Sequence, residues 1–296
     1  MTTTFSSSRA LVLGGGGAVG NAWLIGVLAG LADGGLDVTN ADLVIGTSAG
    51  ATAAVQVTNE PLPELYATVL ESVPPQRPDR PAGSRGPVGS QADHLERTQR
   101  IIDSASDAAD MRRRMGAAFH ELDAASGGAG TDRWRSTVAA RMAGSRWPAQ
   151  RLLLTAVDAH TGEGVAFDRD SGVDLVDAVA ASTSGGSAYR IGDRQYIDGG
   201  YRRNENADLA AGSERVLILS PFAGRTRHPL EWGMQLAAQV DELRAAGSRV
   251  ETVFPDEAAL EAFGDTMLDL ARRAPAARAG FEQGRSRAEV LIGFWR

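Results

Sequence analysis

The sequence predicts an α/β fold: a three-layer α/β/α arrangement with a mostly parallel central sheet and a helical cap inserted near residues 60–145. Three observations support this prediction. Short apolar runs alternate with helical patterns along most of the chain. The first 57 residues already read as strand–helix–strand–helix. Between about 60 and 145 the strand-like runs are missing and helical patterns dominate. We expect residues 1–296 to form a single domain.

The first strand–helix units carry the clearest signals. Residues 10–13 form a short apolar run that ends in four glycines. Apolar residues then recur at spacings of three and four as far as Leu31, which predicts a helix ending at the glycines 34 and 35. Residues 43–45 predict a second strand. The small residues 49–57 predict the helix after it.

The rest of the chain continues the alternation after an insertion. Residues 74–90 contain five prolines and three glycines and predict a loop, and residues 125–130 predict a second break. A helix is predicted over residues 93–122, inside the cap. Further strands are predicted at 151–159, 164–168, 194–200, 215–222 and 249–255, and further helices include 229–246 and 257–273.

Composition excludes several kinds of chemistry. The chain has no cysteine, which excludes thiolate catalysis and zinc–thiolate sites, and its 30 basic residues are all arginine, which excludes a Schiff-base or P-loop lysine. The net charge of −7 argues against a nucleic-acid partner. The first ten residues lack the pattern of a signal peptide, and no run approaches the roughly 18 apolar residues of a membrane span. We expect a soluble, cytoplasmic protein.

A glycine run follows the first strand, in "LGGGGAVG". Gly15, Gly17 and Gly20 fit the G-x-G-x-x-G spacing of a dinucleotide site, which would make the protein a nucleotide-binding oxidoreductase. The acidic residue that such a site needs at the end of the second strand is missing, since Asp37 precedes that strand and Asp42 begins it. The same loop could instead offer backbone N–H groups as an oxyanion hole. The glycines alone leave both interpretations open.

The second motif is "GTSAG", which places Ser48 between Gly46 and Gly50. A strand precedes it and a helix follows, as a nucleophile elbow requires. A serine hydroxyl needs a base to take its proton. The four histidines are poorly placed for this task, since two lie in the predicted cap, one in a turn and one before a proline: His94, His120, His160 and His228.

The third motif is "YIDGG", in which Asp198 ends a short apolar strand ahead of Gly199 and Gly200. Alone, Asp-Gly-Gly is a common turn. In order after the two earlier motifs, it resembles the patatin-like phospholipase family, whose pattern is G-x-G-x-x-G, then G-x-S-x-G, then D-G-G or D-G-A. The resemblance covers roughly residues 9–222, including "VAAS" before the aspartate strand and "GGYRRNENAD" after it.

The resemblance implies a lipid acyl hydrolase with a Ser48–Asp198 dyad and no histidine. Its oxyanion hole would use the backbone N–H groups of Gly15, Gly16, Gly17 and Ala49. The substrate would be a lipid or another fatty acyl ester, with transient contact to a membrane surface, and neither a cofactor nor a metal would be required. A catalytically inactive lipid-binding relative is a further alternative.

Two features depart from the family pattern. Val19 occupies a position where the family often has arginine or lysine, so a charged group near the oxyanion hole is missing. The segment before the aspartate strand reads "STSGGSAYRIGD", without the usual prolines. We expect this glycine-rich 183–189 loop to be more flexible than in relatives and to influence access of the acyl chain.

Overall fold

The computed structural model describes residues 8–72, 91–125, 129–142 and 144–296. Within these ranges the strands are β1 Arg9–Leu13, β2 Leu43–Thr47, β3 Arg151–Asp158, β4 Gly164–Phe167, β5 Tyr189–Ile191, β6 Arg194–Asp198, β7 Arg215–Leu219 and β8 Arg249–Val253. The α-helices are α1 Gly17–Asp33, α2 Ala49–Asn59, α3 Leu62–Glu71, α4 Gln91–Ser104, α5 Ala108–Ala125, α6 Ala129–Arg141, α7 Leu175–Ser182, α8 Leu236–Ala245, α9 Glu257–Phe263 and α10 Arg273–Trp295.

The strands form one mixed sheet with a parallel centre. The order β3-β2-β1-β7-β8 is parallel throughout, while β4 and β6 pair with β3 in the antiparallel direction and β5 pairs with β6. The central strands are apolar runs buried on both faces, which is typical of a parallel sheet covered by helices on each side. The prediction of a mostly parallel sheet is confirmed.

Side chains of β1 alternate between two separate cores. Leu11 and Leu13 pack into a large cluster with α1, α2, α7 and α10. Ala10 and Val12 pack into a second cluster, on the opposite face, with side chains of α8. Because successive residues of a strand point to opposite faces, this alternation places helices on both sides of the sheet. The three-layer α/β/α prediction is therefore also confirmed.

Helices α1 and α10 pack unusually closely through glycines. A Cβ atom added at Gly26 would lie 2.1 Å from the carbonyl oxygen of Ala277, and one added at Gly30 would lie 2.0 Å from that of Phe281. In return, a Cβ at Gly284 would lie 2.2 Å from the carbonyl oxygen of Val27. Glycine is thus needed on both helices, because any side chain there would force the backbones apart.

Several predicted boundaries are wrong. The helix expected over 93–122 is two helices, α4 and α5, since the Asp107 carboxylate accepts from the Asp110 N–H and begins a new helix. The helix expected over 229–246 is only α8, because Gly233 has a φ of 64° after a 3-10 turn. The helix expected over 257–273 stops at Phe263, ahead of Gly264 with a φ of 66°, and α10 continues to Trp295.

The cap region contains helices and no strand in its described part. Helix α3 packs on α10 through Tyr66 and Phe281, whose rings stack at 4.9 Å. Met115 and Phe119 of α5 pack into a third core cluster together with Ile197 of β6. The predicted loop over 74–90 lies outside the described residues, as do residues 126–128 of the predicted break over 125–130, which lie between the end of α5 and the start of α6. Among the helices that the structure describes, none is both long and apolar enough to cross a membrane.

Candidate active site

Ser48 sits in a sharp turn between β2 and α2. Its backbone has φ 54° and ψ −118°, a conformation that residues other than glycine rarely adopt. The turn closes tightly because a Cβ at Gly46 would lie 2.6 Å from the Cα of Ala51, and one at Gly50 would lie 1.9 Å from the carbonyl oxygen of Leu13. This strand–turn–helix geometry holds the serine hydroxyl at the end of the sheet, as in a nucleophile elbow.

The hydroxyl of Ser48 donates to a carboxylate at the end of β6. The distance from Ser48 Oγ to Asp198 Oδ2 is 2.6 Å. The other carboxylate oxygen, Asp198 Oδ1, accepts from the N–H of Gly200 at 2.8 Å. Gly199 between them packs so closely on β3 that a Cβ there would lie 2.3 Å from Thr155 Oγ1. The Asp-Gly-Gly sequence thus orients both oxygens of the carboxylate.

The environment of Asp198 makes it a stronger base than an ordinary aspartate. Burial raises the pKa of Asp198 from its ordinary value of 3.8 to about 6, although the hydrogen bonds from Ser48 and Gly200 act in the opposite direction. The residue keeps some exposed surface, but the carboxylate itself is enclosed by protein. A carboxylate with this pKa is ionised at neutral pH and can still take up a proton.

The backbone of Ser48 is held by a second serine that the sequence analysis did not single out. The N–H of Ser48 donates to Ser182 Oγ at 2.9 Å, and Ser182 is fully buried at the end of α7. The bond satisfies the N–H of the strained residue, which leaves it unable to bind substrate. Ser182 is the last residue of the "VAAS" segment, but its contact with the elbow spans 134 positions and has no local signal.

The glycine loop lies directly beside Ser48. A Cβ at Gly15 would lie 3.5 Å from Ser48 Cβ. The N–H of Gly15, however, donates to the carbonyl of Asn204 at 3.1 Å. Within the described part of the chain, the N–H groups of Gly16, Gly17 and Ala49 donate to no other group. Three of the four expected oxyanion-hole donors are therefore available, and Gly15 is not.

The N-terminal end of α1 is covered by the chain itself. The carbonyl of Met267 accepts from the Val19 N–H at 3.0 Å and would lie 2.6 Å from a Cβ at Gly17. A Cβ at Gly20 would lie 3.0 Å from Pro221. These glycines thus accommodate the protein's own backbone and side chains at the place where a dinucleotide pyrophosphate would have to bind.

A buried polar cluster joins the strands that carry Ser48 and Asp198. Thr47, next to Ser48, and Thr155 of β3 place their hydroxyl oxygens 2.8 Å apart. The amide nitrogen Nδ2 of the fully buried Asn206 lies within 3.1 Å of both hydroxyls and of the Gly199 carbonyl. This cluster fixes the end of β2 relative to the Asp-Gly-Gly turn. The sequence analysis did not predict this cluster, although Asn206 lies in the quoted segment after the Asp-Gly-Gly motif.

The histidines lie away from the serine. Burial lowers the pKa of His228 to about 4, and its ring stacks on Trp232. Burial also lowers the pKa of His94, which contacts Arg97. His120 bonds to Gln195 instead. Across the ranges that the structure describes, neither a histidine bonded to the Ser48 hydroxyl nor a cluster of three potential metal-binding side chains occurs.

The two departures from the family pattern have structural counterparts. Val19 is fully buried in the core. The loop after α7 is tied down at several points, since Ser184 Oγ lies 2.8 Å from the carbonyl of Ala181 and the Tyr201 hydroxyl donates to the Gly185 carbonyl at 3.1 Å. These bonds hold the loop next to Asp198 at two residues, and its flexibility relative to relatives and its influence on acyl-chain access stay predictions.

Comparison with known proteins places the chain in a family. Residues 11–211 match the family model described as patatin-like phospholipase. No curated protein matches the sequence at a significant level. Among solved structures, VipD from Legionella pneumophila aligns with 96% of this chain and 67% of its own, with 14% sequence identity and a TM-score of 0.44. The family model covers more than half of the 296 residues of this chain. The chain therefore belongs to the patatin-like phospholipase family, a family of lipid acyl hydrolases.

Proposed function

We propose that the protein is a serine hydrolase of fatty acyl esters, of the phospholipase A, lysophospholipase or esterase type, that works through a Ser48–Asp198 dyad. The observation that carries the proposal is the 2.6 Å hydrogen bond from Ser48 Oγ to Asp198 Oδ2. It joins a serine on a nucleophile elbow to a carboxylate whose pKa is raised to about 6. A base with a pKa near the working pH combines ionisation with sufficient basicity.

Acylation would begin when Ser48 Oγ attacks the carbonyl carbon of the ester. The hydroxyl proton passes to Asp198 Oδ2, and the carbonyl oxygen becomes an oxyanion. When the tetrahedral intermediate collapses, the C–O bond of the ester breaks and Asp198 returns the proton to the departing alcohol or lysolipid. The acyl group remains on Ser48. A water molecule then gives a proton to Asp198 and bonds to the acyl carbon; the bond from that carbon to Ser48 Oγ breaks, Asp198 returns the proton to Oγ, and the fatty acid leaves.

The oxyanion would be stabilised by backbone N–H groups on both sides of Ser48. Gly16 and Gly17 contribute from the start of α1, and Ala49 contributes from the first position of α2. Each of these groups lies at the N-terminal end of a helix, where the positive end of the helix dipole favours negative charge. Removing one such donor typically lowers kcat by about 10²–10³. Gly15 does not contribute to this oxyanion hole, because its N–H already donates to the Asn204 carbonyl.

The alternatives are less consistent with the site. A nucleotide-binding oxidoreductase would need room for a whole pyrophosphate beside Gly17 and Gly20, where the Met267 carbonyl and Pro221 pack, whereas a single oxyanion oxygen needs only the unbonded N–H groups of Gly16 and Gly17. A catalytically inactive lipid-binding relative would not need a carboxylate buried against the serine. Covalent labelling distinguishes the hydrolase from both alternatives, because only an active hydrolase reacts at Ser48 with a fluorophosphonate.

The test combines this label with a panel of p-nitrophenyl esters of increasing chain length. Ser48→Ala should remove labelling and lower kcat by at least about a thousandfold, as expected for loss of a nucleophile. Ser136→Ala is a matched control, since Ser136 is exposed on α6 and its hydroxyl donates to the Asp132 carbonyl of the same helix. Turnover of Ser48→Ala within about tenfold of wild type would refute the proposal.

A further inference from the structure

Asn204 contacts the glycine loop through both its backbone and its side chain. Its carbonyl accepts the Gly15 N–H at 3.1 Å, and its Nδ2 lies 3.4 Å from the Gly15 carbonyl oxygen. A Cβ at Gly15 would lie 2.7 Å from Asn204 Oδ1. Asn204 therefore holds both polar groups of Gly15, whose added Cβ would lie 3.5 Å from Ser48 Cβ.

This contact matters because the loop cannot hold its own shape. Glycine adopts positive and negative φ with similar ease, so four glycines in a row leave each peptide plane free to rotate. The C=O and N–H of a trans peptide point in opposite directions. A group that fixes the direction of the Gly15 carbonyl therefore also fixes the direction of the Gly16 N–H.

A buried carboxylate fixes the side chain of Asn204 in turn. Glu205 is 1% exposed, and its Oε1 accepts from Asn204 Nδ2 at 2.9 Å and from Ser220 Oγ at 2.7 Å. Burial raises the pKa of Glu205, but Oε1 accepts both bonds, so it faces the amide nitrogen of Asn204 and not the amide oxygen. This choice keeps Nδ2 on the side of the Gly15 carbonyl.

We propose that Asn204, oriented by Glu205, is the positioning residue of the oxyanion hole: it keeps the peptide between Gly15 and Gly16 in the orientation that presents the Gly16 N–H to the substrate. The proposal rests on the function proposed above. It assigns to Asn204 no contact with the reacting atoms. Its loss should weaken binding of the oxyanion while ground-state binding of the acyl chain and the basicity of Asp198 stay the same.

The experiment compares kinetics with two ligands of equal chain length. A fatty acyl trifluoromethyl ketone reacts reversibly: Ser48 Oγ bonds to its carbonyl carbon, the Oγ proton passes to Asp198, and the carbonyl oxygen becomes an oxyanion. The corresponding secondary alcohol binds without forming one. For Asn204→Ala we expect kcat and ketone affinity to fall about 100-fold, as for loss of one oxyanion donor, with KM and alcohol affinity unchanged within about threefold.

Two further readouts separate positioning from a general structural role. The pH midpoint of kcat/KM should stay near that of wild type, since Asp198 is untouched. Asn59→Ala is the matched control, because Asn59 also joins two backbone groups, the Val55 carbonyl and the Arg146 N–H, far from the site. It should change thermal stability but not kcat.

If Asn204→Ala does not fold, variants whose new side chain has nearly the same size as the native one still test the proposal. Asn204→Asp cannot donate to the Gly15 carbonyl and should lose kcat to a similar extent. Glu205→Gln retains an acceptor for Asn204 and should keep most of the activity, whereas Glu205→Leu should not. Asn204 variants with full kcat and ketone affinity would overturn the proposal while leaving the dyad in place. An active Ser48→Ala would instead overturn the proposed function.

Discussion

Replacing Asp198 with asparagine should abolish ester hydrolysis and, at neutral pH, make the protein more stable. The asparagine side chain has the same shape, and its oxygen can still accept from the Gly200 N–H, as Asp198 Oδ1 does at 2.8 Å. Its amide can donate to Ser48 Oγ but cannot take a proton from it. We therefore expect kcat to fall about as severely as in Ser48→Ala, by several powers of ten.

The stability gain follows from the raised pKa of the aspartate. Between its ordinary value of 3.8 and about 6, the folded protein binds more protons at Asp198 than the unfolded chain does, so the free energy of unfolding falls as the pH rises. One pKa unit corresponds to about 1.4 kcal/mol, so keeping Asp198 ionised in the folded state costs about 3 kcal/mol above pH 6. Asparagine carries no charge and avoids this cost.

Urea unfolding of both proteins at pH 4 and pH 8 measures the effect. The variant should be more stable by about 3 kcal/mol at pH 8 and by little at pH 4, where Asp198 of wild type is largely protonated when folded. The opposite control is Asp208→Asn. Burial alone would raise the pKa of Asp208, but hydrogen bonding and the charges of Arg202 and Arg203 outweigh it and lower the pKa. That substitution should destabilise the protein at pH 8. An Asp198→Asn variant that is less stable than wild type at pH 8 would show that the carboxylate is not held at an energetic cost.

The other predictions concern the pH profile, the histidines, the elbow and the helix pair. The kcat/KM of wild type should rise with pH through one group with a midpoint near 6, the pKa of Asp198, and a flat profile from pH 5 to 7 would contradict it. His228→Gln should keep most of the activity in the p-nitrophenyl assay, and a dead variant would require a histidine base. Ser48→Gly should be inactive yet more stable in urea by about 1 kcal/mol, because glycine accepts a φ of 54° without strain, and a loss of stability would contradict this. Gly26→Val should lower the free energy of unfolding by about 1–3 kcal/mol, since its Cβ would lie 2.1 Å from the Ala277 carbonyl oxygen. An unchanged urea midpoint would show that α1 and α10 can separate freely.

Local sequence signals sufficed for the alternation of strands and helices, whereas the pairing of Ser48 with Asp198, now found 2.6 Å apart, was implied by the resemblance to the patatin-like family. Ser48 follows a short apolar strand and Asp198 ends one, and small residues come directly after each; these are local properties. The direction of β6, which is antiparallel to β3, was not predictable in the same way. Strand direction depends on how the chain returns to the sheet, and here the chain passes through α7 and then reaches β6 through a hairpin with β5.

The features that were missed depend on contacts between distant segments. The close approach of α1 and α10 had a visible trace, since Gly26 and Gly30 are four residues apart and so are Gly280 and Gly284. Nothing local says that these two pairs face each other across some 250 residues. The hydrogen bond from the Gly15 N–H could not be predicted either, because its acceptor, the Asn204 carbonyl, becomes a neighbour only when the sheet is assembled. Two helix boundaries were predicted wrongly because a single glycine with positive φ, Gly233 or Gly264, outweighed the apolar pattern.

A lone aspartate can serve as the base only if its surroundings stay free of opposite charge. Among the described residues, the influences that set the pKa of Asp198 are burial and two hydrogen bonds from neutral groups, Ser48 and Gly200. Burial brings the carboxylate close to the value of about 6.5 at which a histidine ordinarily titrates. An arginine beside Asp198 would lower that pKa again and remove its basicity. The neutral cluster of Thr47, Thr155 and Asn206 therefore suits the site, since it connects the strands that carry the dyad without introducing a cation.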